Sequence, residues 1–159
     1  LRLEIIGGGD ARIFAALAAH AERTAPGRVR FLGAVPNDRM QALLNGSAAF
    51  ALLSHRESFG MVFAEALGAG VPCLYPRGRA IEGYFEEGGV VLAADPASRT
   101  EAARALVRLV REEAAFKERL ARLMAAGGLD FLTREAIARS YRAGLSAACP
   151  ARVPAAAGT

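Results

Sequence analysis

The sequence AAFALLSHRESFGMVFAEALGAGVPCLY, residues 48–75, decides the fold of this chain. Its first six residues are all apolar and predict a strand over 48–53 that is buried on both faces, as strands of a parallel sheet are. A helix is predicted over about 59–69, and Gly70 ends it. A second apolar strand follows over 71–75. A strand, a helix and a strand in this order indicate an α/β fold with a parallel sheet.

The same alternation extends over the rest of the chain. Further strands are predicted over residues 1–6, 29–32 and 90–92. Further helices are predicted over residues 10–23, 36–44, 80–85, 97–111, 112–124 and 133–148. This order predicts a Rossmann-like, doubly wound parallel sheet in three layers, α/β/α, with ligands at the carboxyl ends of the strands. We expect one domain over residues 1–149 and a flexible tail over 150–159.

Composition narrows the class of protein. The chain has 159 residues, of which 53% are hydrophobic, and this suits one globular domain. Its formal net charge of +4 comes almost entirely from arginines scattered beside acidic residues, which argues against a nucleic-acid binder. The start shows no signal-peptide pattern, and Cys73 and Cys149 are far apart, so a reduced, cytoplasmic protein is expected. A weak attraction to the inner face of an anionic membrane stays open.

Candidate binding residues gather where the predicted helix follows the apolar strand. Backbone amides of a helix N-terminus attract anions, here those of Phe59, Gly60, Met61 and Val62. Gly60 has no side chain to keep a ligand away. Glu65 shares a face with Met61, and an apolar helix does not bury a carboxylate without a partner. A sugar diol would suit it, because a carboxylate accepts two hydroxyl hydrogens at once.

Other interpretations of these residues stay open. Glu57 could cap the helix that follows it, and Glu65 could be a solvated surface residue. The segment GGGD, residues 7–10, could be a dinucleotide fingerprint, although a tight turn and a helix N-cap fit it better. Arg77 and Arg79 could reach a phosphate or a sugar, or could be ordinary exposed loop residues.

Four segments in order resemble one enzyme family. Glu57 and Glu65, with seven residues between them, resemble the Glu-x7-Glu motif of retaining glycosyltransferases of the GT-B fold, specifically the family-4 group. LEIIGGGD, residues 3–10, is similar to a strand and glycine turn of the family. VRFLG, residues 29–33, and ALGAGVP, residues 66–72, resemble two further segments. A lone glutamate pair is a weak signal, whereas four segments with family-like spacing are specific.

The resemblance implies a donor-binding role. The chain would be the C-terminal, nucleotide-sugar-binding domain of a bacterial GT-B enzyme that transfers a hexose to an acceptor hydroxyl with retention of configuration. Glu65 would hold the ribose hydroxyls of the donor, and Glu57 would act as the catalytic residue near the anomeric centre. The amides of residues 59–62 would bind the sugar and the diphosphate. Gly33 and Ala34 would lie against the base.

The resemblance also implies partners. They are the nucleotide-diphosphate sugar, a glycan or lipid-linked acceptor and the N-terminal GT-B domain, with no metal and no cofactor. The family's first strand, and the Arg and Lys that follow it, would precede residue 3, so we expect this chain alone to bind the donor weakly and to be inactive. Two alternatives are a non-catalytic transferase-like domain that binds a nucleotide or a partner, and a sugar-nucleotide 2-epimerase.

Overall fold

The computed structural model describes residues 1–148 of the chain. The predicted tail over 150–159 lies outside the described residues, as does Cys149. Helices alternate with strands that pair in parallel, so the predicted α/β class is confirmed. The chain divides into two compact units, the first over Leu1–Gly46 and the second beginning at Ser47. The single domain over residues 1–149 stays a prediction.

The first unit contains two strands and two helices. They are β1 (Leu3–Ile6), α1 (Ala11–Thr24), β2 (Val29–Gly33) and α2 (Asn37–Asn45). β1 and β2 pair in parallel as a two-stranded sheet. All four elements were predicted from the sequence, with bounds that differ by only a few residues.

Side-chain chemistry explains these bounds. The carboxylate of Asp10 accepts hydrogen bonds from the backbone N–H of Arg12 at 2.8 Å and of Ile13 at 3.2 Å, so Asp10 is the N-cap of α1. This confirms the turn-and-cap interpretation of residues 7–10. The rings of Phe14 and Phe31 meet edge to face, 5.4 Å apart, and join α1 to β2.

The second unit holds the larger part of the described chain. Its elements are β3 (Phe50–Ala51), α3 (Met61–Gly68), β4 (Cys73–Pro76), β5 (Val91–Ala94), α4 (Arg99–Arg111), α5 (Glu113–Ala125), a 3₁₀ turn (Asp130–Leu132) and α6 (Arg134–Ala148). The three strands form one parallel sheet in the order β3-β4-β5. Among the helices in residues 1–148, none combines the length and the apolar character that crossing a bilayer requires.

The hydrophobic core of the second unit lies where α4 and α5 meet the sheet. Every residue of β4 and β5 is buried. Leu74, Leu92, Leu109 and Phe116 form one buried cluster with Ala94. Cys73 is also buried, and burial raises the pKa of its thiol because the charged thiolate loses its hydration. An inert, reduced thiol follows from this environment.

The prediction of a long, doubly buried strand over 48–53 is wrong. β3 comprises only Phe50 and Ala51; Phe50 is half-buried and Ala51 is exposed. The reason is its position at the edge of the three-stranded sheet, where only β4 pairs with it within the described residues. The fully buried strands are instead β4 and β5.

The predicted helix over 80–85 is also wrong, because this segment is a series of turns. Ala80 has a φ of 56° and Gly83 a φ of 80°, and positive φ values interrupt a right-handed helix. The buried side chain of Ile81 nevertheless anchors the segment to the second unit. The apolar residues that suggested a helix therefore serve packing within an irregular loop.

The sequence predicted one sheet, whereas the strands of residues 1–148 form two, β1-β2 in the first unit and β3-β4-β5 in the second. Every pairing is parallel, as predicted. β1 and β3 are each edge strands of their own sheet, so neither is paired on its second side within the described residues.

Candidate functional site

The turn that precedes α3 is the best-defined feature of the predicted site. Gly60 has a left-handed backbone, with φ 73° and ψ 72°, and is the N-cap of α3. The helix therefore begins at Met61, two residues later than predicted, since this conformation of Gly60 cannot belong to a right-handed helix. The N–H of Phe63 donates to the carbonyl of Gly60 at 2.9 Å and closes the first turn.

Gly60 is also needed for packing. A Cβ atom at this position would lie 2.6 Å from the ring of Phe63 and 3.3 Å from the Cγ of Glu57. The ring of Phe63 is fully buried and meets the ring of Phe50 edge to face at 5.6 Å. The sequence suggested that Gly60 makes room for a ligand. The structure shows that it makes room for the core and that Glu57 lies beside it.

Glu57 is held within its own loop. One carboxylate oxygen accepts the N–H of Ser58 at 3.1 Å, and the other accepts the hydroxyl of Ser54 at 3.5 Å. Within residues 1–148 no side-chain hydrogen bond caps α3, and stabilisation of the helix N-terminus by the charge of Glu57 stays a prediction. The half-buried carboxylate is instead oriented by two neighbours of the loop.

The N-terminus of α3 keeps unoccupied backbone donors. Among the described residues no side chain caps this end, and the N–H groups of Met61 and Val62 precede the first hydrogen bond within the helix. The positive end of the helix dipole lies at the same place. Anion binding by residues 59–62 stays a prediction, and the structure places Phe59 and Gly60 before the helix.

Glu65 is exposed, so the structure favours the alternative of a solvated surface residue over a carboxylate buried in an apolar helix. Helical spacing places Glu65 on the face of Met61, which is 59% exposed, while Phe63, Ala66 and Leu67 form the buried face. No side-chain partner for Glu65 is found in the part of the chain that the structure describes. Its carboxylate is therefore open to solvent.

Gly33 and Ala34 lie at the end of β2, in the first unit. Gly33 has a φ of 69°, and its carbonyl accepts the N–H of Gly7 at 2.8 Å, which joins the carboxyl ends of β1 and β2. Ala34 is exposed. Both residues lie at the strand edge where ligands of parallel sheets bind.

Arg77 is tied to the protein and is not a free cation. Its guanidinium pairs with Glu101 and, at 3.4 Å, with Glu87. The hydrogen bond from Arg77, together with the backbone N–H of Asp95, holds the pKa of Glu101 below the usual value of a glutamate. Sequence reasoning missed both acidic partners, because they lie 10 and 24 residues further along the chain.

The loop after β4 also contributes an aromatic cluster that the sequence did not predict. The rings of Phe59 and Tyr84 meet edge to face at 5.2 Å, and those of Tyr84 and Phe131 stack at 5.7 Å. Tyr84 and Phe131 are both exposed. The aromatic residues are 25 and 47 positions apart along the chain, so only folding brings them together at the start of α3.

Residues 1–127 match the family described as Glycosyl transferases group 1. The chain belongs to this family. The match contains Glu57, Glu65 and all four segments of the resemblance, and it ends before the 3₁₀ turn and α6. The family-level part of the predicted resemblance is therefore confirmed.

Relatives of known identity extend this result. Over 86 residues, which are 54% of its length, this chain is 35% identical to the N-acetyl-alpha-D-glucosaminyl L-malate synthase of Bacillus anthracis. The match covers 22% of that relative. The structure is similar to that of HepE from Anabaena in complex with UDP, with a TM-score of 0.70, 20% identity, and coverage of 90% of this chain and 41% of that one. TarM gives a TM-score of 0.72 at 16% identity, with coverage of 89% and 28%.

At these identities the structural likeness shows the fold, which is that of GT-B glycosyltransferases. The chain spans well under half the length of each of these relatives.

Replacing Gly60 tests the turn. Gly60→Ala is expected to destabilise the protein by at least about 1–2 kcal/mol, because an L-residue is strained at positive φ and the new methyl group meets Phe63. Gly68→Ala is the matched control, since a Cβ there meets nothing within 4 Å, and it should stabilise α3 by about 0.5–1 kcal/mol. Chemical denaturation followed by circular dichroism measures both. Equal effects would contradict the assigned role of Gly60.

Replacing Glu101 tests the Arg77 pairing. A carboxyl group whose pKa is lowered by folding contributes stability above its unfolded pKa and loses it as the pH falls through the folded value. Glu101→Gln should therefore lower the melting temperature at about pH 7 and have a much smaller effect at about pH 3. Glu118→Gln, which removes only the exposed pair with Arg122, should change little at either pH. A pH-independent effect of Glu101→Gln would refute the pairing.

Proposed function

We propose that this chain is the donor-binding domain of a retaining GT-B glycosyltransferase of the family-4 type. The enzyme would transfer a hexose from a nucleotide-diphosphate sugar to the hydroxyl of a glycan or lipid-linked acceptor. The observation that carries the proposal is the start of α3, where uncapped backbone donors, a loop-held Glu57 and an exposed Glu65 belong to one turn and one short helix.

The donor's diphosphate would bind at the N-terminus of α3. A diphosphate is an anion with several acceptor oxygens, and the free N–H groups of Met61 and Val62 are donors at the positive end of a helix. Phe59 and Gly60 would extend this row of amides toward the sugar. We also propose that no metal is required, since backbone dipoles of this kind stabilise the leaving group electrostatically.

The two glutamates would contact the ribose and the sugar of the donor. Glu65 would accept hydrogen bonds from both ribose hydroxyls, because a carboxylate accepts two hydroxyl hydrogens at once. Glu57 would lie near the anomeric carbon, where its negative charge stabilises the positive charge that develops as the sugar leaves. Gly33 and Ala34 would lie against the base.

The proposed donor follows from chemistry and is supported by the relatives. Structures of HepE similar to this one were solved with UDP and with UDP-glucose. A nucleoside diphosphate linked to a hexose is therefore the class of donor that we assign. Acceptor binding and a basic clamp on the diphosphate would come from an N-terminal GT-B domain, so this chain by itself would bind the donor weakly and transfer no sugar.

Glu65→Ala tests the binding role. In calorimetric titrations with UDP, the variant should bind about ten- to hundredfold more weakly, because hydrogen bonds to a charged group contribute about 1.5–3 kcal/mol. Glu135→Gln, an exposed carboxylate on α6, is the matched control and should bind like the parent chain. Unchanged UDP binding by Glu65→Ala would contradict the ribose assignment.

Glu57→Gln tests the catalytic role in a longer protein that contains this chain and an acceptor-binding half. The variant should lower kcat by about 10²–10³-fold, in the range expected for a lost electrostatic group, and should change the Kd for UDP by less than about threefold. Nuclear magnetic resonance of the product should show the same anomeric configuration as the donor. An inverted product would disprove retention.

A further inference from the structure

The loop that follows β4, residues 77–83, carries three charged side chains, and they are held differently. Arg77 is tied by its two ion pairs. Glu82 folds back within the loop and accepts the backbone N–H of Gly78 at 2.6 Å. The side chain of Arg79 is exposed and has no hydrogen-bond or ion-pair partner among residues 1–148. Arg79 is therefore the charge of this loop that remains open to a ligand.

The backbone on both sides of Arg79 has a left-handed conformation. Gly78 has a φ of 76° and Ala80 a φ of 56°, and Ala80 is the only residue other than glycine with a positive φ in the described part of the chain. This conformation is unfavourable for an L-residue, and burial of the side chains of Ala80 and Ile81 maintains it. Because the loop is fixed in this way, presenting Arg79 to a ligand requires little ordering of the backbone.

This loop adjoins the loop that carries Glu57. β3 and β4 pair in parallel, so the loops that follow them leave the same edge of the sheet. The rings of Phe59 and Tyr84, 5.2 Å apart, connect the two segments. Arg79 therefore lies on the loop next to the one that the proposed function assigns to the transferred sugar.

The chemistry of Arg79 selects the kind of group that it would contact. A guanidinium is a planar fork of donors that matches a carboxylate with two parallel hydrogen bonds. A neutral hexose offers only hydroxyl groups, and the proposed transfer develops positive charge on the sugar, which an uncompensated cation nearby opposes. A carboxylate on the sugar itself compensates that cation. The diphosphate, the other anionic part of the donor, is assigned above to the start of α3.

We propose that Arg79 is a specificity-determining residue that binds the carboxylate of a hexuronic acid. The donor would then be a nucleoside diphosphate linked to an acidic sugar, which the enzyme prefers to the neutral hexose of the same configuration. This inference rests on the proposed function, because Arg79 would act on the sugar that the adjoining turn holds.

Calorimetric titration of the 159-residue chain tests the inference with two matched pairs of donors and with UDP. The pairs are UDP-glucuronic acid with UDP-glucose, and UDP-galacturonic acid with UDP-galactose. The members of a pair differ only by a carboxylate in place of a hydroxymethyl group. In at least one pair, the acid should bind about tenfold or more tightly than the neutral sugar, as expected for hydrogen bonds between charged groups.

Three single substitutions separate a contact by Arg79 from a general effect of charge. Arg79→Gln should abolish the preference for the acid and change the Kd for UDP and for the neutral sugars by less than about twofold. Arg56→Gln removes the same charge from the loop that follows β3, and Arg111→Gln removes it from the end of α4; both should keep the preference. All three side chains are exposed, so the melting temperature of each variant should match that of the parent chain.

Several results would overturn the assignment of Arg79. They are equal binding of the acid and the neutral sugar in both pairs, or a loss in Arg56→Gln as large as that in Arg79→Gln. An equal loss for UDP and for every sugar in Arg79→Gln would also overturn it, because Arg79 would then contact the diphosphate. Absence of UDP binding by the parent chain would contradict the proposed function itself. UDP binding without a preference for the acid would overturn only the role of Arg79.

Discussion

Gly60 stands in a left-handed conformation directly against the ring of the buried Phe63, and this contact fixes where α3 begins. Phe63 is part of the core, so the turn is anchored to the buried interior of the second unit. The same arrangement brings Glu57 beside Gly60 and leaves the first amides of the helix without a side-chain cap. A binding turn supported by the core needs little ordering when a ligand arrives.

The carboxylates near this turn differ in how they are held. Glu57 accepts hydrogen bonds from Ser54 and Ser58, whereas the side chain of Glu65 is exposed to solvent. Arg77, the arginine that follows β4 directly, is bound to Glu87 and Glu101 and stabilises the loop. The positive character of the turn therefore comes from backbone dipoles more than from side chains, which suits contact with a polyanionic leaving group.

An apolar groove lies beside the start of α3. Phe59 and Met61, from the turn and the first residue of the helix, line one side of it, and residues of α6 line the other. The family match ends at residue 127, before the 3₁₀ turn and α6.

The sequence by itself determined the α/β class, most of the helices and the Asp10 cap, because helical periodicity, caps and apolar runs are local properties of a chain. It also identified the family, through short segments whose order along the chain is visible without folding. Only the tertiary structure decided that β3 is a short edge strand, that residues 80–85 form turns, and that Glu65 is exposed. Those outcomes depend on which residues meet across long stretches of chain, as do the Arg77–Glu101 pair and the stacking of Tyr84 on Phe131, and local pattern carries no information about such contacts.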